Sequence, residues 1–477
     1  MEMIRRLVSV AVTAVILVPF LLTMPVNASP GDIRVPEDYP TIQAAIDNVT
    51  AQNRTILVNA LTYNATETVD VTASNVTIRS VNGRANITAG GADDHVFNIT
   101  GQTNVTLEGF TIRDARGTSK DLAGIFMHNA TACSISNNVV TNITATGSWN
   151  ARGIWLDDSH NNTFGSSTAV SHVNATGNAV GILLYRSDTN TFSSSTDVSH
   201  VNATNGTAGI LLYLSNNNTF SSTTNVSYVN GTNSSVGMLL DVSENNAFGS
   251  STTVSYVNAS DEAVGIVLRG AANNTLKATV IESVDSAAAD AVGLGLSDSA
   301  DNEFYDCAIR DLTAGNETYG VLVVENSTNN TISDGEVRDT NHGICVQDSD
   351  NNKIQRNMIV NNTGGATGVN VTHDSDRNTM EGNCFIDNIP QARDDGGGNV
   401  WNGNYWSDHT GSGPYNIGGA ANSADDNPLD ECPLVVAPAP PPAPPRIPAV
   451  NQWGIVAMIG LFAGLLVWMV WRRRHAS

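Results

Sequence analysis

The chain has 477 residues, a formal net charge of −23 and 14% charged residues. Only Lys120, Lys277 and Lys353 supply lysine, and the net charge argues against nucleic acid as a partner, since phosphate binding needs a basic face. The five cysteines form no CxxC pair. Their odd number leaves at least one unpaired unless it bonds between chains, and Cys384–Cys432 is the one pairing worth testing.

Residues 1–28 read as a secretory signal, with Arg5 and Arg6, an apolar core from Leu7 and small residues up to Ala28. A short amphipathic helix is expected from Thr41 to Val49, where Ile42, Ala45, Ile46 and Val49 share one side. It covers the open end of the repeat that follows, because unpaired strand edges need a cap.

That repeat is 28 residues long. Its apolar anchor falls at Phe164, Phe192, Phe220, Phe248, Leu276, Phe304 and Ile332, and a glycine opens an apolar run at Gly153, Gly181, Gly209, Gly237, Gly265 and Gly293. A fixed period of this size signals a stacked solenoid. After each glycine the apolar residues alternate (Ile154/Leu156, Ile182/Leu184), which is a strand of four or five residues. A second strand centres on the Phe anchor, and a third holds the pairs Val170/Val173, Val198/Val201, Val226/Val229 and Val254/Val257. Three strands per unit describe one coil of an all-β parallel β-helix. A propeller blade needs roughly 40 residues or more and fits less well. Just before the anchor, Asn162, Asn190, Asn218, Asn246, Asn274, Asn302 and Asn330 hold one phase, as a hydrogen-bonded ladder between coils requires.

At this point the chain resembles a known group. The opening VPEDYPTIQAAIDNVT and RTILVNALTY are similar to the N-terminal cap and first coil of the right-handed parallel β-helix (pectin-lyase-like) superfamily. The likeness is closest to the branch with NosD-type carbohydrate-binding and sugar-hydrolase repeats, common in archaeal surface proteins. Gly398–Leu429 resembles the element that ends many such domains, although only HTGSG stands between NYWSD and PY, where relatives carry an Asp/Gly-rich loop. The likeness covers about residues 31–434 and, with the secretory signal at 1–28, gives an expected organisation of signal peptide (1–28), β-helix (31–392) and C-terminal cap (393–434). Trp401, Tyr405 and Trp406 are expected to cover the last coil, with sugar binding as the competing use. It also suggests copper delivery, for which the sequence offers no Cys/Met/His cluster.

Residues at equal phase form stripes on the surface. Trp155 and Asp157, Tyr185, Tyr213, Asp241 and Arg269 point outward after the glycine marker, edging an apolar strip that includes Leu183, Leu211, Leu239 and Val267. Aromatic edges beside carboxylates and a guanidinium suit a carbohydrate-binding platform, and subunit self-association is the competing use. Asp298, Glu325, Asp348 and Asp374 form an acidic stripe whose hard oxygens suit Ca²⁺. His172, His200, Tyr228 and Tyr256 form an aromatic stack. The in-phase sequons Asn174, Asn202, Asn230 and Asn258 are glycosylation candidates, crowded at roughly 4.8 Å per coil.

No catalytic set is assembled. Hydrolysis needs two carboxyl groups about 5–9.5 Å apart. Asp157 and Asp241 lie three coils apart, and adjacent Asp157 and Asp158 are expected to point different ways on a strand. A polysaccharide lyase (Ca²⁺-dependent) or glycoside hydrolase therefore stands second to a glycan- or envelope-binding protein, and a structural envelope component third.

The chain ends with a Pro-rich spacer (435–450) and an apolar tail (451–477). Trp453 to Trp471 carries no charge and is followed by Arg472, Arg473 and Arg474, as expected for a membrane-spanning helix with a positive-inside stop. The tail resembles the C-terminal sorting signals of prokaryotic surface proteins. Together the ends predict an ectodomain on the outer face of the cell membrane, anchored by its C-terminal helix.

Overall fold

The computed structural model describes residues 31–49, 55–249, 251–363 and 367–434. The predicted signal peptide, Pro-rich spacer and spanning helix lie outside the described residues. Among the described residues no helix is long and apolar enough to cross a membrane.

The described chain is a parallel β-solenoid of three sheets, with 17, 15 and 13 strands. Each coil contributes a short strand to the first sheet (Thr163–Gly165), a longer one to the second (Thr168–Ala175) and one to the third (Ala179–Tyr185). Register follows the repeat: Phe164 pairs with Phe192, Val170 with Val198, and Ile154 with Ile182. Phe164, Phe192, Phe220 and Phe248 stack as an interior column with ring centroids 4.4–4.6 Å apart. Each is at most 1% exposed. Burying one such ring is worth about 1.5–3 kcal/mol, and ring stacking adds about 0.5–1.5 kcal/mol.

The third-sheet strands run to seven or eight residues, longer than expected, because positions before the glycine also pair: Ala151 with Ala179 and Arg152 with Val180. The glycine interrupts the alternation. A Cβ on Gly209 would sit 2.2 Å from Val226 Cγ1 and 2.6 Å from the Gly237 carbonyl, inside the solenoid, while the next residue, Ile210, is also buried. Two consecutive residues thus turn inward. Residue 152 and its equivalents therefore join the outer face, which simple alternation does not reveal.

The turn between the third and first sheets carries the asparagine ladder. Asn162 donates from N–H and Nδ2 to Asn190 Oδ1 (2.9 and 3.1 Å), and Asn190 donates likewise to Asn218 (2.9 and 3.2 Å). The pattern continues through Asn246, Asn274, Asn302 and Asn330, all at most 1% exposed. A parallel serine ladder three residues earlier links Ser159, Ser187, Ser215 and Ser243 through backbone N–H donation to Oγ at 3.0 Å. Buried polar groups that are all paired in this way rigidify the turn.

At the N-terminal end a helix, Ile42–Asp47, starts at Thr41, whose hydroxyl accepts from the Ala44 N–H, and buries Ile42, Ala45 and Ile46. It is shorter than the predicted Thr41–Val49 span. Near the other end Cys384 and Cys432 form a disulfide, while Cys133, Cys307 and Cys345 are free and buried. Trp401 and Trp406 are nearly buried there. Their indole N–H groups donate to Asp394 (2.9 Å) and Asp425 (3.2 Å), so their rings do not face solvent.

Candidate functional site

The outer face of the third sheet gathers most of the predicted platform. Trp155 stands in register with Leu183, Leu211, Leu239 and Val267, and Asp157 with Tyr185, Tyr213, Asp241 and Arg269. The aromatic faces are taken, however. The Arg152 guanidinium lies 4.0 Å above the Trp155 ring, and Phe126 packs against it at 4.5 Å. Tyr185 stacks on Tyr213 at 5.4 Å, with Arg186 at 4.5 Å from the Tyr185 ring. Rings stacked along the solenoid axis offer ring edges and hydroxyls to a ligand rather than flat faces. Asp241 is buried and pairs with Arg269 through Nε at 3.0 Å.

One end of this face holds a charged cluster that sequence reasoning missed. His128 Nδ1 lies 3.2 Å from Asp157 Oδ2, without the geometry of a hydrogen bond. Arg186 reaches Asp157 at 3.4 Å and Asp158 at 3.2 Å. Ligand atoms of His128, Asp157 and Asp158 lie within 4.8 Å of one another. The expected divergence of Asp157 and Asp158 is thus overturned. The strand ends at Asp157, and Asp158 adopts a left-handed backbone (φ 48°) that brings its carboxylate back beside its neighbour. His128 escaped notice because Ile125 pairs with Ile154, a 29-residue step that shifts it out of phase with the 28-residue unit. Following the stripe one coil back and allowing a one-residue slip would have found it.

Support comes from behind the cluster. His95 stacks on Phe126 at 4.5 Å, and its Nδ1 accepts the Ala123 N–H at 2.9 Å. Burial, then the charges of Lys120 and Arg152, push the His95 pKa down to about 4, so this imidazole is neutral at pH 7. Arg152 is fixed by Asp121 at 3.0 Å, and burial lowers its pKa despite that partner. Burial opposes ionisation of Asp121, but hydrogen bonds from Asn150 and the Arg152 charge outweigh it and hold the carboxyl below its ordinary range. The Trp155 indole N–H is buried without a partner among the described residues.

The acidic stripe behaves differently. Glu325, Asp348 and Asp374 line an open depression of about 510 Å³ with Asp350, and Asp298 lies outside it. Arg377 pairs with Asp350 at 2.7 Å, and His373 with Asp374 at 2.9 Å. Among the described residues the only convergence of three His, Cys or carboxylate ligand atoms is His128/Asp157/Asp158, so Asp298, Glu325, Asp348 and Asp374 do not close around a shared point. Even at His128, Arg186 already pairs with both carboxylates and competes with a cation. Copper suits thiolate, thioether and imidazole donors, and one imidazole with two carboxylates is a poor match.

On the second sheet His172, His200, Tyr228 and Tyr256 stack at 4.7–4.8 Å. Burial and the neighbouring His172 lower the His200 pKa. The sequon asparagines beside them form a second ladder: Asn202, Asn230 and Asn258 donate from Nδ2 to Asn174, Asn202 and Asn230 at 3.0, 2.8 and 2.8 Å.

Residues 307–411 match the family model described as periplasmic copper-binding protein (NosD). Among solved structures, the chain is similar to the A-module of the Azotobacter vinelandii mannuronan C-5 epimerase AlgE6, at 13% identity over 76% of this chain and 93% of that one, with a TM-score of 0.38. It is also similar to the Dettilon tailspike protein (10% identity, 84% and 68% covered, TM-score 0.39). The Yersinia enterocolitica family 28 exopolygalacturonase is a third such structure (10% identity, 78% of each chain, TM-score 0.28). No curated protein matches the chain. The matched NosD region begins well after the His128/Asp157/Asp158 cluster, so that match does not extend to the candidate site.

Proposed function

We propose that this chain is an exported β-helix protein that contacts carbohydrate through the outer face of its third sheet. The observation that carries the reading is the convergence of His128, Asp157, Asp158 and Arg186 beside the Tyr185–Tyr213 pair. Carboxylates, a guanidinium, an imidazole and phenol hydroxyls supply both acceptors and donors for sugar hydroxyls, and the ring edges supply apolar contact. The apolar column of Leu183, Leu211 and Leu239 extends the same face and suits either a long polysaccharide or a second copy of the chain. In this reading residues 1–28 direct export, 31–392 form the β-helix, 393–434 close its end, 435–450 space it from the surface and 451–477 anchor it. The helix Ile42–Asp47 covers the first coil. Any Ca²⁺ at the acidic stripe is held loosely by Glu325, Asp348 and Asp374.

Glycan-array binding of the soluble ectodomain tests the proposal. The Tyr185→Ala/Tyr213→Ala variant is expected to lose binding at least tenfold while keeping its circular dichroism spectrum. Unchanged binding in that variant rules out the face.

One observation favours a second reading, glycoside hydrolysis. Asp157 and Asp158, with carboxylate oxygens within 4.8 Å of each other, put on one face two carboxyl groups, the residue type that glycoside hydrolysis uses. A reducing-end assay on the array's strongest ligands separates the two readings. Release of reducing ends that disappears in Asp158→Asn supports hydrolysis, and binding without release supports recognition alone.

A further inference from the structure

Among the abundant Asn-x-Ser/Thr triplets, two structural settings contrast. In the turn between the third and first sheets, the triplet is Asn-Asn-Thr, and each residue answers a different demand. The second asparagine enters the buried ladder, and the threonine opens a first-sheet strand. The first asparagine takes the left-handed region, which asparagine tolerates better than most residues: φ is 56° at Asn161, 57° at Asn217, 56° at Asn273 and 58° at Asn329. These four are exposed, and among the described residues no hydrogen bond engages their side-chain amides. They recur in every second coil. The intervening coils hold Thr189, Asn245 and Asp301 at this position, and Asn245 is followed by Asn246 and Ala247, which is no sequon. Acceptors two coils apart stand roughly 9.6 Å from one another, twice the strand spacing.

The second-sheet sequons contrast on every point. They recur in each coil, and Asn202, Asn230 and Asn258 commit Nδ2 twice. It donates to the previous asparagine and also to the His200, Tyr228 or Tyr256 carbonyl, at 3.2, 3.3 and 3.4 Å. Asn174, first in the row, donates only to the His172 carbonyl, at 3.1 Å.

We propose that the exported chain carries N-linked glycans along the turn edge at Asn161, Asn217, Asn273 and Asn329, and none at Asn202, Asn230 or Asn258. The donor is a lipid-linked oligosaccharide diphosphate. Nδ2 forms a bond to the anomeric carbon, the carbon–oxygen bond to the diphosphate breaks, and the displaced amide proton is lost as the diphosphate leaves. One N–H remains on the modified amide. At the turn asparagines nothing in the folded coil is given up, whereas at Asn202, Asn230 and Asn258 a ladder hydrogen bond is. This inference depends on export and not on the glycan-binding reading. Its result is a row of glycans four residues beyond Asp157 and its equivalents, bordering the third-sheet face on one side.

The test is site-by-site occupancy by peptide mass spectrometry, on the full chain made through a secretory route that carries an N-oligosaccharyltransferase. Glycan at Asn161, Asn217, Asn273 and Asn329, with bare Asn202, Asn230 and Asn258, is the expected pattern. The opposite pattern, or no glycan at the four turn sites, overturns it. A Thr219→Ala variant should lose one glycan mass and keep its fold, since position 247 in the same column is already alanine. Ala247→Thr completes a sequon at Asn245, one coil from both Asn217 and Asn273. Occupancy there should come at the expense of its neighbours, and full occupancy of all three would refute the spacing argument.

Discussion

The regular coils between Gly153 and Phe304 and the coils at their margins obey the same register but use it differently. In the regular stretch most inward and ladder positions meet their own kind, Phe on Phe, Val on Val and Asn on Asn, while the outer column changes from Asp157 to Tyr185, Tyr213, Asp241 and Arg269. The ladder asparagines and serines there are each satisfied by the copy beside them. Where the step changes, unlike residues meet. The 29-residue step sets His128 against Asp157, and the 22-residue step from Asn330 to Asn352 runs through the acidic depression, which Glu325, Asp348 and Asp374 line. Uniform stacking builds the rod, and irregular steps gather different chemistries.

The sharpest way to break this contrast is to compare an interior ring with an outer one. Phe192→Ala should cost about 3–5 kcal/mol, because it empties a site between two stacked rings. Tyr185→Ala, in the preceding strand but on the outer face, should cost about 1 kcal/mol or less. Urea unfolding of both variants decides. Equal losses would mean that the Phe column is not the interior.

A second contrast concerns pH. His95 supports the charged cluster as a neutral ring with a pKa of about 4, below the ordinary 6.5. The unfolded chain therefore binds a proton near pH 6.5 that the folded chain refuses until about pH 4. The stability contributed by this group is fully present above pH 6.5 and is lost as pH falls toward 4, by up to about 3 kcal/mol. His95→Gln should flatten that part of the stability profile. An unchanged slope between pH 6.5 and 4 would show that the ring is not shielded.

Neighbouring asparagines sharpen the ladder. Asn218→Ala removes the acceptor of two bonds from Asn190 and should cost about 1–3 kcal/mol. Asn217→Gly, one residue earlier, keeps the left-handed turn (φ 57°) and should change stability by less than about 0.5 kcal/mol. Chemical denaturation of the pair reads the difference directly.

The solenoid, its three strands per coil and its ladder phase were legible because each repeats. Period finds a column whenever the same residue recurs at the same step. The Asp157/Asp158 pair was not legible, since its convergence depends on one left-handed residue at a strand end, and alternation describes only the strand itself. Arg152 was hidden for a related reason: the inward glycine shifts the alternation by one. The serine ladder was visible in principle, as a serine three residues before each ladder asparagine, but serine is common enough in turns to pass without notice.

The smallest expected effect bears on whether the third-sheet face is open. Asp241 is buried to 8% side-chain exposure, while its partner Arg269 is 62% exposed. If water reaches the guanidinium freely, the pair behaves as a surface salt bridge. Its coupling in a double-mutant cycle should then be about 1 kcal/mol or less, and should shrink further at high salt. A coupling well above 2 kcal/mol, insensitive to salt, would place the pair in a dry environment, and something would have to cover the column that carries Tyr185 and Tyr213. A second copy of the chain seated on Leu211 and Leu239 would do so. The cycle measured at two protein concentrations therefore separates a face left free for glycan from one closed by self-association: only the latter gives a coupling that rises with concentration.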